Sequence, residues 1–160
     1  METLNIEKKN AQNAFKKANK EVKALLVELF GEKTFSEKIT DRVKTYEDAC
    51  SVLGVSKLDG TVTVVDGCLK DDSESIMAYC KLIIIARALN EGWTPNWEDS
   101  NEPKYYPYFK MKSGFGFSRS YFIYDGSITY VGSRLVFKTS ELAIYAGQQF
   151  ESIYKDLFTL

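Results

Sequence analysis

Between Ser75 and Asn90 the chain carries Ile76, Ala78, Tyr79, Cys80, Leu82, Ile83, Ile84, Ile85, Ala86, Ala88 and Leu89, apolar side chains at nearly every helical angle. A helix apolar on all sides must be buried on all sides, so this segment predicts a central core helix over 75–90 with every other element packed around it. Lys81 and Arg87 must leave it at one edge or snorkel. The acidic residues Asp71, Asp72 and Glu74 just ahead of it suit the positive end of a helix, and Gly92 and Pro95 end it. Its longest unbroken apolar run, Leu82 to Ala86, is far short of the roughly 20 residues that cross a bilayer. A length of 160 residues with 44% hydrophobic side chains suits one domain, 1–160, with a real core.

The other helices are written as stripes. Ala11, Phe15, Ala18, Val22, Leu25 and Leu29 recur at spacings of 4, 3, 4, 3 and 4, which predicts an amphipathic helix over residues 5–30 that Gly31 stops. Such a stripe either docks on its own domain or pairs with a second copy, so a homo-dimer through residues 5–30 is a candidate assembly. Thr45 followed three residues later by Asp48 resembles a capping box; Tyr46, Ala49, Cys50 and Leu53 then face one way until Gly54. Thr61–Val65 (TVTVV) has strand character between glycines. Leu142, Ala146, Phe150, Ile153 and Leu157 predict a C-terminal helix over 140–158, with Ser140 or Thr139 as its cap.

Residues 103–139 hold eleven aromatics, and Asp125-Gly126 is the dipeptide of a two-residue hairpin turn. That turn fixes a register in which Tyr121 opposes Tyr130, Arg119 opposes Gly132, Phe117 opposes Arg134 and Phe115 opposes Val136. One face of the ribbon then carries Phe115, Phe117, Tyr121 and Tyr130 with both arginines, while the other is slim with Gly and Ser. The slim face suits close packing on helices, which turns the aromatic–arginine face to solvent; the inverse placement makes those rings core. The segment has six cations (Lys104, Lys110, Lys112, Arg119, Arg134, Lys138) and one anion (Asp125), a net +5 in a chain whose total is −1. A basic, ring-bearing strand surface suits single-stranded nucleic acid, whose bases stack and whose phosphates meet cations. Lys112 to Phe117 echoes the RNA-recognition signature with one inserted residue, although the βαββαβ order of that fold is absent.

Residue types exclude much chemistry. The chain has no histidine, which removes His-dependent triads, HExxH zinc sites and imidazole bases. Neither a GxxxxGK[ST] loop nor a GxGxxG opening a helix is present. Cys50, Cys68 and Cys80 are an odd, sparse set without CxxC spacing, expected as reduced thiols in a cytoplasmic protein. The N-terminal METLNIEKKN has no apolar stretch of the secretory kind. Glu91, Glu98, Asp99 and Glu102 cluster after the central helix and could hold Mg²⁺ or exchange protons; a solvated acidic loop explains them equally well. Trp93, Pro95 and Trp97 in the same loop predict either a rigid lid over the core or an anchor for a partner.

LNEGWTPNWEDSNEPKYYPYF, GFGFS and VGSRLVFKTSELAIYAGQQFESIYKDLF together resemble small uncharacterised proteins of Bacteroidetes phages and prophages, over about residues 75–158, with TYEDACSVLG at 45–54 as the upstream part of the pattern. The resemblance implies a phage or mobile-element origin and brings no catalytic residues with it.

The sequence thus predicts an α+β fold: three to four helices around the central apolar helix, and a small antiparallel sheet over 104–138 built on the hairpin. The expected function is that of a non-catalytic accessory protein in the host cytoplasm, without membrane association or cofactor. It would bind a macromolecular partner, a host or phage protein or single-stranded nucleic acid, through the aromatic–basic sheet face or the Trp-rich loop. The candidate contact residues are Phe115, Phe117, Arg119, Tyr121, Tyr130, Arg134, Trp93, Trp97 and Lys112. A nucleic-acid-binding protein is the alternative, and a Mg²⁺-dependent enzyme using the acidic loop is less favoured.

Overall fold

In a computed structural model, residues 6–35, 38–58, 70–111, 114, 116–123 and 129–159 are described, with only the backbone of Lys8, Lys9, Lys33, Lys70, Asp71, Phe117 and 119–123. The expected strand at Thr61–Val65, the Asp125-Gly126 turn and Cys68 lie outside the described residues. Two compact units make up the chain, Met1–Arg42 and Val43–Leu160.

The first unit contains α1 (Lys8–Lys17), α2 (Lys20–Phe30), a 3₁₀ turn (Glu32–Thr34) and α3 (Ile39–Arg42). The single helix expected over 5–30 is therefore two. Ala18 and Asn19 are extended, and the Asn19 side chain accepts from the Val22 amide at 3.0 Å. An Asn that satisfies an orphan amide this way favours starting a new helix over continuing the old one. The Phe15 ring stacks on Phe35 at 4.3 Å and Phe30 meets Phe35 edge-on at 6.3 Å. Val22, Leu25 and Leu29 on α2 are exposed.

The second unit starts from α4 (Tyr46–Leu53), whose capping box is complete: Thr45 Oγ1 accepts from the Asp48 amide at 3.1 Å, and the Asp48 carboxylate accepts from the Thr45 amide at 3.0 Å. Tyr145 and Gln149 hold the chain entering α4, donating to the carbonyls of Val43 and Lys44 at 2.7 and 2.8 Å. The apolar helix is α5 (Lys70–Asn90), longer at its start than its apolar stretch implied. Ala78, Leu82, Ile85, Ala86, Ala88 and Leu89 are its buried side. The C-terminal stripe forms α6 (Ser140–Gln149) and α7 (Glu151–Phe158), broken at Phe150, which is itself buried. No helix of the described residues is long and apolar enough to cross a membrane.

The strands are β1 (Lys104–Lys110) and β2 (Gly116–Ile123), paired antiparallel. The expected α+β architecture is thereby corrected. Seven α-helices are described instead of three or four, and the strands make a two-stranded ribbon, not a sheet built on the 115–137 hairpin. Tyr121 faces Tyr106 and not Tyr130, Arg119 faces Tyr108 and not Gly132, and Phe117 faces Phe109 and not Arg134. The backbone register sets Tyr105 opposite Phe122, Tyr106 opposite Tyr121 and Phe109 opposite Phe117.

On its other edge β1 makes one bridge, Tyr105 to Phe137, with amides and carbonyls exchanged at 3.1 and 2.7 Å. Pro107, two residues on, points its donorless nitrogen to this same edge, where it blunts further pairing and costs the β1–β2 ladder nothing. Nor does every element pack on α5: α4 and α7 do, while the ribbon lies on α6.

Candidate binding cleft

Two polar side chains are buried among the described residues, Asn90 and Lys104, and both shape the same place. Asn90 is the last residue of α5. Glu91 and Gly92 follow with φ of 49° and 87°, a left-handed pair that turns the chain sharply out of the helix. The Trp93 amide still donates back to the Asn90 carbonyl at 3.0 Å, which keeps Trp93 close to the helix end.

The loop beyond is held by its own acidic and amide groups. Glu102 accepts from the Asn96 amide at 2.8 Å, Asn96 accepts from the Glu98 amide at 3.0 Å, and Asp99 accepts from the Asn101 amide at 2.9 Å. Lys104, at the start of β1, has a side chain with no solvent exposure. Its ammonium donates to the Asp99 carbonyl at 2.9 Å, sits 3.5 Å from the Glu102 carboxylate and lies 5.5 Å from the centre of the Trp97 ring. A buried lysine needs such partners, and here the cation underlies an indole and fixes it by charge as well as packing.

The second wall comes from the chain before α6. The Asn90 side chain donates to the Val136 carbonyl at 2.8 Å and accepts from the Lys138 amide at 3.0 Å, while Lys138 also reaches Glu91 at 3.5 Å. These bonds bring Ser133 and Arg134 beside the Trp loop. The result is a cleft of about 350 Å³ lined by Arg87, Asn90, Trp93, Thr94, Pro95, Trp97, Ser133 and Arg134. The two indoles are half-buried; both guanidinium side chains and the Thr94 and Ser133 hydroxyl side chains are exposed.

Three residues expected at a partner surface, Trp93, Trp97 and Arg134, meet here, but Arg134 does so through a turn and not through a strand. Tyr130 is 77% exposed, its ring 6.3 Å from that of Tyr106. Phe117, Arg119 and Tyr121 have their backbone in β2, and their side chains lie outside the described residues, as do Phe115 and Lys112 entirely. Arg87, Thr94 and Ser133 were not expected as contacts. Arg87 carried a signal, being with Lys81 one of two cations in the apolar stretch 75–90; Ser133 carried none. Of the loop's acidic residues, Asp99 and Glu102 accept from backbone amides and Glu91 pairs with Lys138, and no three Cys, Asp or Glu side chains are grouped as a metal site among the described residues.

Comparison with protein-family models, with curated proteins and with solved structures finds no match.

Proposed function

We propose that this chain is a non-catalytic binding protein that grips a macromolecular partner through the cleft at the end of α5. The observation that carries this reading is the meeting of two tryptophans and two arginines on one concave surface. Indole and guanidinium are the side chains that dominate binding hot spots, the first by area and the second by forked hydrogen bonds to carboxylate or phosphate. Both walls are braced from beneath, by Lys104 under Trp97 and by Asn90 behind residues 136–138. A braced surface loses less side-chain freedom when it is occupied.

The likeness of residues 75–158 to Bacteroidetes phage and prophage proteins supports placing this role in a phage or other mobile element, within the host cytoplasm. The test is retention from a Bacteroidetes lysate by the full chain and by a Trp93→Ala/Arg134→Ala variant whose circular dichroism is unchanged. A protein or nucleic acid held by the first and released by the second supports the reading. Identical retention by both overturns it.

A further inference from the structure

We infer that the occupant of the cleft is single-stranded nucleic acid, with one nucleotide seated so that its base stacks on indole and the two phosphates flanking it meet Arg87 and Arg134, one each. This deepens the proposed function and rests on it. The lining holds two cations and no carboxylate, so its field favours an anion. Of the neighbouring carboxylates, Glu91 pairs with Lys138, Glu102 with Asn96 and Lys104, and Asp99 accepts from the Asn101 amide, while Glu98 is exposed. A nucleotide offers both partners, a flat ring for indole and an anionic group for guanidinium, and each base stacked on an aromatic side chain gains about 1–3 kcal/mol.

Strandedness separates the nucleic-acid candidates. Duplex bases are paired and stacked, with no free face to offer an indole; a single strand can splay one out. The Thr94 and Ser133 hydroxyls lie on the lining to donate to phosphate or base edges.

The test is the fluorescence anisotropy of labelled oligodeoxythymidylate and oligouridylate 12-mers titrated with the full chain. Two phosphate contacts on a single strand predict a log–log salt slope of about −1.4, hence a roughly seven-fold weaker Kd at 200 mM than at 50 mM salt. Arg134→Gln reduces the slope by about 0.7 and Arg134→Lys keeps it; Trp93→Ala weakens binding roughly 5- to 150-fold. A blunt duplex of equal length competes poorly. The inference is overturned by no binding of either 12-mer at 50 mM salt, or by binding that ignores Arg134→Gln. A phosphoserine peptide that binds in their place and is lost with Trp93→Ala overturns the nucleic-acid assignment and leaves the cleft as a protein-binding site. The lysate comparison above decides the cleft itself.

Discussion

Asn90 joins three parts of the second unit, and its removal is calculable. Its side chain makes two bonds, at 2.8 Å to the Val136 carbonyl and 3.0 Å from the Lys138 amide, in a site where Asn90 is 6% exposed and Val136 1%. Two such bonds contribute a net of about 2 kcal/mol, and a buried carbonyl left without a donor adds about 1–3 kcal/mol. The Lys138 amide lies nearer to solvent and recovers part of its loss through water. Asn90→Ala should therefore destabilise the chain by about 2–4 kcal/mol, lowering Tm by about 10 °C for a protein of this size. Urea unfolding followed by circular dichroism measures it, with an unchanged m-value as the sign that only stability has moved. Asn90→Asp refines the test. Its carboxylate keeps the acceptor for Lys138 but donates to Val136 only when protonated, which raises its folded pKa above the unfolded value. The stabilising bond is then present at acid pH and lost as pH rises through the folded pKa, so the deficit grows with pH. An Asn90→Ala protein within about 0.5 kcal/mol of wild type would refute the claim that this residue pins the cleft wall.

Other perturbations probe the remaining supports. Lys104→Met keeps the buried stem but removes the ammonium from Asp99, Glu102 and Trp97; it should cost about 2 kcal/mol and, in a Trp93→Phe background, make Trp97 easier to quench with acrylamide. Thr45→Ala breaks the capping box of α4 and should cost about 1 kcal/mol in urea unfolding. Burial raises the Tyr154 phenol above its ordinary value, so the folded chain keeps a proton that the unfolded chain releases. The Tyr154 contribution is then complete below about pH 10 and falls by about 1.4 kcal/mol per unit as pH rises beyond it; Tyr154→Phe should shrink that alkaline limb to what Tyr46, also raised by burial, leaves.

Local signals were legible where the physics is local. The Thr45–Asp48 box, the apolar run that became α5 and the Trp loop after Gly92 each depend on residues within a few positions of one another, and each stands where the sequence places it. Even locally, competing chemistry hid two breaks. The stripe from Ala11 to Leu29 continues across Asn19, yet Asn19 caps a second helix. The C-terminal stripe likewise runs through Phe150, where the burial of that ring accompanies a change of backbone.

Strand pairing is a different kind of problem. A turn dipeptide states a preference between adjacent segments, while the pairing is decided by everything each strand can touch. For β2 the partner that prevailed is β1, with an aromatic residue opposite an aromatic residue at three register positions. The segment expected opposite β2 is instead claimed by Tyr105 and by Asn90, the latter 46 and 48 residues away from its partners. The sequence by itself determined where the apolar stripes run, where aromatics gather and where positive charge collects along the chain, because periodicity and composition survive without a fold. Only the tertiary structure decided that Arg87 and Arg134 share a cleft with two tryptophans, because that meeting rests on buried hydrogen bonds between distant positions, and such bonds leave no periodic trace along the chain.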